Sequence, residues 1–319
     1  MKRKIEAILL GLVIAALTAY LLFSREDGTH YSLPELPRID KGQITRITIR
    51  KGGSGLELKR DAEGWRILPE GYPADERAVD RMLETLSGLR LTAMASTSEN
   101  DSLFDLDEAS CVQVAAFRGD DRLVEIRIGK AAPTYRHTFV KLLDDSRVYH
   151  AEKNFRSDFD KDVSSLRDKQ VLRIDEEVSE IILTAAGGKP LHILRTAAPT
   201  DVDPTADNGT AEAEGSAPGA ARWETIEGMP LEEKEVDNLV KTLSNLQCDG
   251  YLEEGKADLG APTFSASLKG SKNYELSLYG QKDGKTIATS SESEYPFLIA
   301  DWKATRIKKN PEGLLKKKD

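Results

Sequence analysis

Cysteine and histidine are scarce in this chain, and their scarcity removes whole classes of chemistry. Cys111 and Cys248 are the only cysteines in 319 residues, too few for a disulfide framework or for a zinc site built from closely spaced ligand pairs. An extracytoplasmic location would permit one bridge between them. They do not occupy matching places in the repeat described below, which disfavours a bridge and leaves the question to geometry. The four histidines, His30, His137, His150 and His192, are scattered over spacer and strands, and no two share a helix face at ligand spacing. Surface or strand-edge positions are expected for them. Also missing are the Gly-x-Ser-x-Gly elbow, the His-Glu-x-x-His motif and the dinucleotide fingerprint. The sequence assigns no catalytic, cofactor-binding or metal-binding residue, so a non-enzymatic protein is expected.

Excess positive charge is missing as well. The net charge is −9, and an acidic body argues against nucleic acid as a partner, because phosphate contacts need a basic face. The tail, 303–319, is the exception, with seven basic residues against Glu312 and Asp319. It is read as solvated and frayed, or as touching lipid headgroups or an acidic partner.

Long apolar runs are absent but for one. "AILLGLVIAALTAYLLF", Ala7–Phe23, holds seventeen residues without a charge or a proline, near the lower length for a membrane-crossing helix. Lys2, Arg3 and Lys4 precede it and Glu26 and Asp27 follow. The positive-inside rule then places the N-terminus in the cytoplasm and the bulk of the chain outside. A cleaved signal peptide is the rival, but no small-x-small site follows the run. No cysteine lies nearby, which excludes a lipoprotein anchor. The expectation is an uncleaved single-pass anchor, 1–24, in the inner (cytoplasmic) membrane, followed by a proline-bearing spacer, 25–37.

What remains is a body with 39% hydrophobic residues, enough to fill two cores. "ITRITIR" alternates as a half-buried strand does, and the turns "KGGSG" and "DAEG" link it to "LELKR" and "WRIL" in a three-stranded meander. In "VDRMLETLSGL", Val79, Met82, Leu83, Leu86 and Leu89 line one helical stripe, with Pro73 just ahead and Asp75 placed to cap. Four strand-like runs follow, "CVQVAAF", "LVEIRIG", "HTFVKLL" and "RVYHA". Phe155–Lys169 is expected to be a closing helix.

This order is then written again. "VDNLVKTLSNL" at Val236–Leu246 repeats the helix, and "VSEIIL", "LHILR", Trp223, Pro230, "ELSLYG" and "FLIA" repeat its neighbours in order. So long a period is domain duplication rather than a solenoid. The expected fold is α+β, with two homologous, antiparallel β-rich domains, 38–170 and 171–302, each carrying one or two packed helices. The second takes an insertion, 196–221, rich in Ala, Pro, Gly, Thr and Asp and expected to be disordered. Its "NGT" at Asn208 matches a glycosylation sequon with no other support.

Three motifs invite a functional reading. "GGSG", Gly52–Gly55, suggests a phosphate cradle, but it joins two strands instead of opening a helix and reads as a hairpin turn. "FDLDE", Phe104–Glu108, clusters carboxylates, yet its counterpart "ADLGA" keeps only Asp258, so Asp105 and Asp258 read as shaping the chain ahead of the next strand. Trp65 and Trp223 read as core anchors beside the amphipathic helices.

With Ile44, Ile47 and Ile49 opening a strand, Trp65 closing a hairpin, Tyr72 and Pro73 before the helix, Leu86 and Leu89 ending it, and Ile126, Ile128 and Gly129 on a later strand, the chain resembles the DUF4340 family. The second copy departs from the pattern with Met229 before its proline and Tyr279 before Gly280. The resemblance implies a membrane-anchored extracytoplasmic protein, some relatives being encoded beside ABC-type transport components of the kind linked to gliding motility. It carries no catalytic residues. The leading expectation is thus an accessory or scaffold protein of a cell-envelope complex, with an ABC-type transporter or another envelope protein as candidate partner. A module binding an envelope glycan or peptidoglycan in a cleft between the copies is the alternative, and a hydrolase with an unrecognised site the second.

Overall fold

The computed structural model describes residues 13–14, 16–20, 31–196, 222–252, 259–308 and 313–315. Among them no helix is long and apolar enough to cross a membrane. The expected anchor lies mostly outside the described residues, with Val13–Ile14 and Ala16–Tyr20 helical. His30, Asn208, Asp258 and all of the expected disordered insertion except Thr196 also lie outside them. The chain divides into two compact units, Met1–Arg167 and Asp168–Asp319. Both are β-rich with few helices, an α+β architecture with one large sheet in each.

In the first unit the strands are β1 (Arg46–Lys51), β2 (Ser54–Arg60), β3 (Trp65–Leu68), β4 (Tyr72–Pro73), β5 (Leu91–Ser96), β6 (Val112–Arg118), β7 (Asp121–Ala131), β8 (His137–Leu142) and β9 (Val148–Glu152). They form one sheet in the order β4-β3-β2-β1-β6-β7-β8-β9-β5, every adjacent pair antiparallel. The period of two in "ITRITIR" sends Ile47 and Ile49 to the core and Arg46, Thr48 and Arg50 to the opposite face. Helix α1 (Glu76–Ser87) covers the core face with Val79, Met82, Leu83 and Leu86, and Leu89 packs partly buried just beyond it. Each such fully buried side chain contributes about 1.5–3 kcal/mol. Asp75 starts this helix as the spacing predicts, its Oδ1 accepting from Arg77 N at 2.9 Å and Ala78 N at 3.2 Å.

Two features of this unit differ from expectation. β5 is absent from the sequence reading, because bulges between Leu91 and Ala93 and between Met94 and Ser96 break its alternation. The expected closing helix, Phe155–Lys169, is instead two single turns, α2 (Arg156–Phe159) and α3 (Val163–Leu166). Asp162 divides them: it is extended, and its Oδ1 accepts from Ser165 N at 2.8 Å, so a new cap competes with continuation of the first turn.

The second unit contains β10 (Gln170–Arg173), β11 (Glu180–Ala185), β12 (Leu191–Thr196), β13 (Arg222–Thr225), β14 (Asn245–Gln247), β15 (Gly250–Tyr251), β16 (Phe264–Lys269), β17 (Asn273–Lys282), β18 (Lys285–Ser290) and β19 (Phe297–Ala300). Helix α4 (Glu233–Ser244) buries Val236, Leu239 and Leu243, and α5 (Asp301–Ile307) buries Ala304 and Ile307. The sheet order, β13-β12-β11-β16-β17-β18-β19-β15, follows the same path from hairpin to crossover as in the first unit. β10 and β14 form a separate ribbon. Thr196 pairs with Arg222, so the insertion replaces the tip of the β12–β13 hairpin, where the first unit has the short "DAEG" connection between Arg60 and Trp65.

Candidate functional site

Sheet registry sorts the sequence candidates. Trp65 and Trp223 are 8% and 5% exposed and belong to the cores. Cys111 and Cys248 are both buried and free, and burial raises both thiols above their ordinary pKa. Asp105 is a left-handed residue ending the 3₁₀ turn Asp101–Phe104, a backbone role. Lys303 at the start of the basic tail donates to Gln247 O at 3.1 Å and lies 3.6 Å from Asp249.

His137 and His150, separated by thirteen positions in sequence, are brought together by the β8–β9 pairing, with ring centroids 5.7 Å apart. Periodicity along one strand could not reveal that contact, since it depends on cross-strand register. Phe139 lies 4.7 Å from His150 and 4.8 Å from Phe104. His150 Nδ1 is buried without a hydrogen-bond partner among the described residues. Burial lowers the His150 pKa, with His137 adding to the shift. His192 is apart, on β12, 3.9 Å from Glu180. Among the described residues no group of His, Cys, Asp and Glu could hold a metal ion.

The feature with the most unspent chemistry is the sheet face opposite α1. Three rows of side chains cross it, fixed by strand register. The first runs Arg66, Lys59, Arg46, Phe117, Arg122, with the Arg46 guanidinium 4.0 Å from the Phe117 ring centre. The second runs Glu57, Thr48, Ala115, Glu125. The third runs Gly55, Arg50, Gln113, Arg127, Lys141.

At the third row lies a cleft of about 470 Å³ lined by Arg50, Lys51, the Gly52–Gly55 turn, Glu108, Cys111, Gln113 and Arg127. Gly52 and Gly53 both have positive φ, +54° and +84°, as a two-residue hairpin turn requires. "GGSG" is therefore the turn that the sequence predicts, and its missing side chains leave one wall of the cleft open. The corresponding row of the second unit is Thr184, Ser265, Ser277, Thr289. Its hydroxyl side chains occupy the ladder positions where the first unit places Arg50, Gln113, Arg127 and Lys141. The sequence contained this contrast, in "EIRIG" against "ELSLYG", but without register the four positions could not be grouped.

A family model described as a domain of unknown function, DUF4340, matches residues 67–266. No curated protein and no solved structure matches the chain. The match runs from β3 of the first unit to β16 of the second, covering α1, the crossover strands and α4, and takes in more than half of the chain. On that extent the chain belongs to the DUF4340 family.

Proposed function

We propose that this is a non-enzymatic accessory or scaffold protein of a cell-envelope complex, anchored in the inner membrane by a single pass through Ala7–Phe23 with its bulk outside the cytoplasm. On this reading the two units arose by duplication, and an ABC-type transporter or another envelope protein is the partner. The observation that carries it is the pair of sheets with one strand path but different side chains at one matching row, Arg50, Gln113, Arg127 and Lys141 in one unit and Thr184, Ser265, Ser277 and Thr289 in the other. Duplication conserves the packing and frees the opposite faces to take different partners, which suits a scaffold better than a chemical site. The chain purified from native membranes in mild detergent is expected to bring a membrane or transport subunit with it. Recovery of the chain alone, under conditions that keep known envelope complexes intact, would sink the proposal.

A further inference from the structure

We propose that Arg50 and Arg127 form a clamp for an oxyanion, a phosphate or a carboxylate, seated over Gln113 in the cleft beside the Gly52–Gly55 turn. The two arginines flank Gln113 from the neighbouring strands β1 and β7. Their Cα atoms stand two strand spacings apart, about 9.5 Å, so both guanidinium groups reach a group held between them. A guanidinium presents parallel N–H donors matched to phosphate or carboxylate oxygens, and two of them grip one anion from opposite sides.

The neighbouring cations are already spent. Lys141 contacts Asp101 at 2.9 Å, Arg122 contacts Glu125 at 2.7 Å and Lys51 contacts Asp160 at 2.7 Å, while Arg156 donates to the carbonyls of Ser110 and Ile128. Gln113 donates its Nε2 to Glu125. Among the described residues, Arg50 and Arg127 have no ion pair or hydrogen bond from their side chains. Among the described residues Glu108 is the one carboxylate lining the cleft, against Arg50 and Arg127 and the already paired Lys51.

The second unit supplies an internal control. Its sheet places Thr184 and Ser277 where the first places Arg50 and Arg127, so the fold does not require the arginines. The clamp stands whether or not the chain is a scaffold.

The test is isothermal titration of the full chain in neutral detergent with inorganic phosphate in one arm and malonate in another, both at ionic strength matched with sodium chloride. Saturable binding of at least one probe is expected, and the stronger arm distinguishes a phosphate from a carboxylate ligand. The double substitution Arg50→Thr with Arg127→Ser, which copies the second unit, is expected to weaken that binding at least tenfold, while Arg118→Ala, outside the cleft, leaves it unchanged. Arg127→Gln, which keeps the bulk of the side chain, is read in the same way if the double variant loses the wild-type melting temperature. No binding of either probe, or equal binding by the folded cleft variants, would overturn the clamp.

Discussion

At the scale of single residues, matching positions in the two units do different work. Asp80 and Asp237 each follow the first valine of the repeated helix phrase. Asp237 Oδ1 accepts from the Trp223 indole at 2.9 Å in a partly buried setting, whereas Asp80 meets Lys41 Nζ at 3.1 Å with both side chains about half exposed. Asp237→Ala should therefore cost about 1–3 kcal/mol, as expected when a partly buried indole N–H loses its acceptor, and Asp80→Ala no more than about 1 kcal/mol. Urea denaturation of the two variants checks the order, and equal losses would contradict it. Trp65→Ala, which empties a core position, is expected to cost about 3–5 kcal/mol; an unchanged melting temperature would show that the ring does not support the core. The apolar stripe of Val79, Met82, Leu83 and Leu86 was legible because helical period alone defines it. The two aspartates were not separable, since a sequence gives residue type without partner.

At the scale of elements, the 3₁₀ turn Asp101–Phe104 lies across the face of β7 and β8 opposite α1, and only a carboxylate cluster marks it in the sequence. A Cβ at Gly129 would meet Phe104 O at 2.2 Å, so the glycine ending "EIRIG" serves close approach of this segment. Lys141 pins the turn through Asp101, and Phe104 packs on Phe139, which in turn packs on His150. This stack sets a pH response. Among the described residues the rings packed against His150 are Phe139 and His137, and burial holds its pKa below the ordinary 6.5. The unfolded chain then takes up the proton first. Stability should be level above about pH 6.5 and fall as pH drops towards the depressed folded value. Melting temperatures between pH 7.5 and 5 should decline less in His150→Phe than in the wild type, and parallel curves would remove His150 from the response. Glu176 is distinguished by a much lower range. Hydrogen bonds from Ser271 and Tyr274 lower it to about 2, so its contribution is lost only in stronger acid, as pH falls from the ordinary value of 4.5 through about 2.

At the scale of the whole molecule, two forces compete to explain how the chain would be held at a membrane. The apolar run Ala7–Phe23 would insert as a helix, with an affinity set by buried hydrocarbon and indifferent to salt. The basic tail and the cationic sheet face would instead attract anionic lipid, about 1 kcal/mol per basic residue near the surface, an attraction that shortens with the Debye length to about 3 Å at 1 M salt. The net charge of −9 opposes the second mode. The anchor reading therefore makes a separable prediction. Full chain in washed membranes should stay in the pellet through 1 M salt and through alkaline carbonate, and a chain lacking residues 1–24 should appear in the soluble fraction at low salt. Release of the full chain by salt alone would replace the anchor with surface electrostatics. Retention of the shortened chain at low salt, followed by its loss at high salt, would assign part of the attachment to the basic tail or to the face carrying Arg46, Arg50 and Arg127.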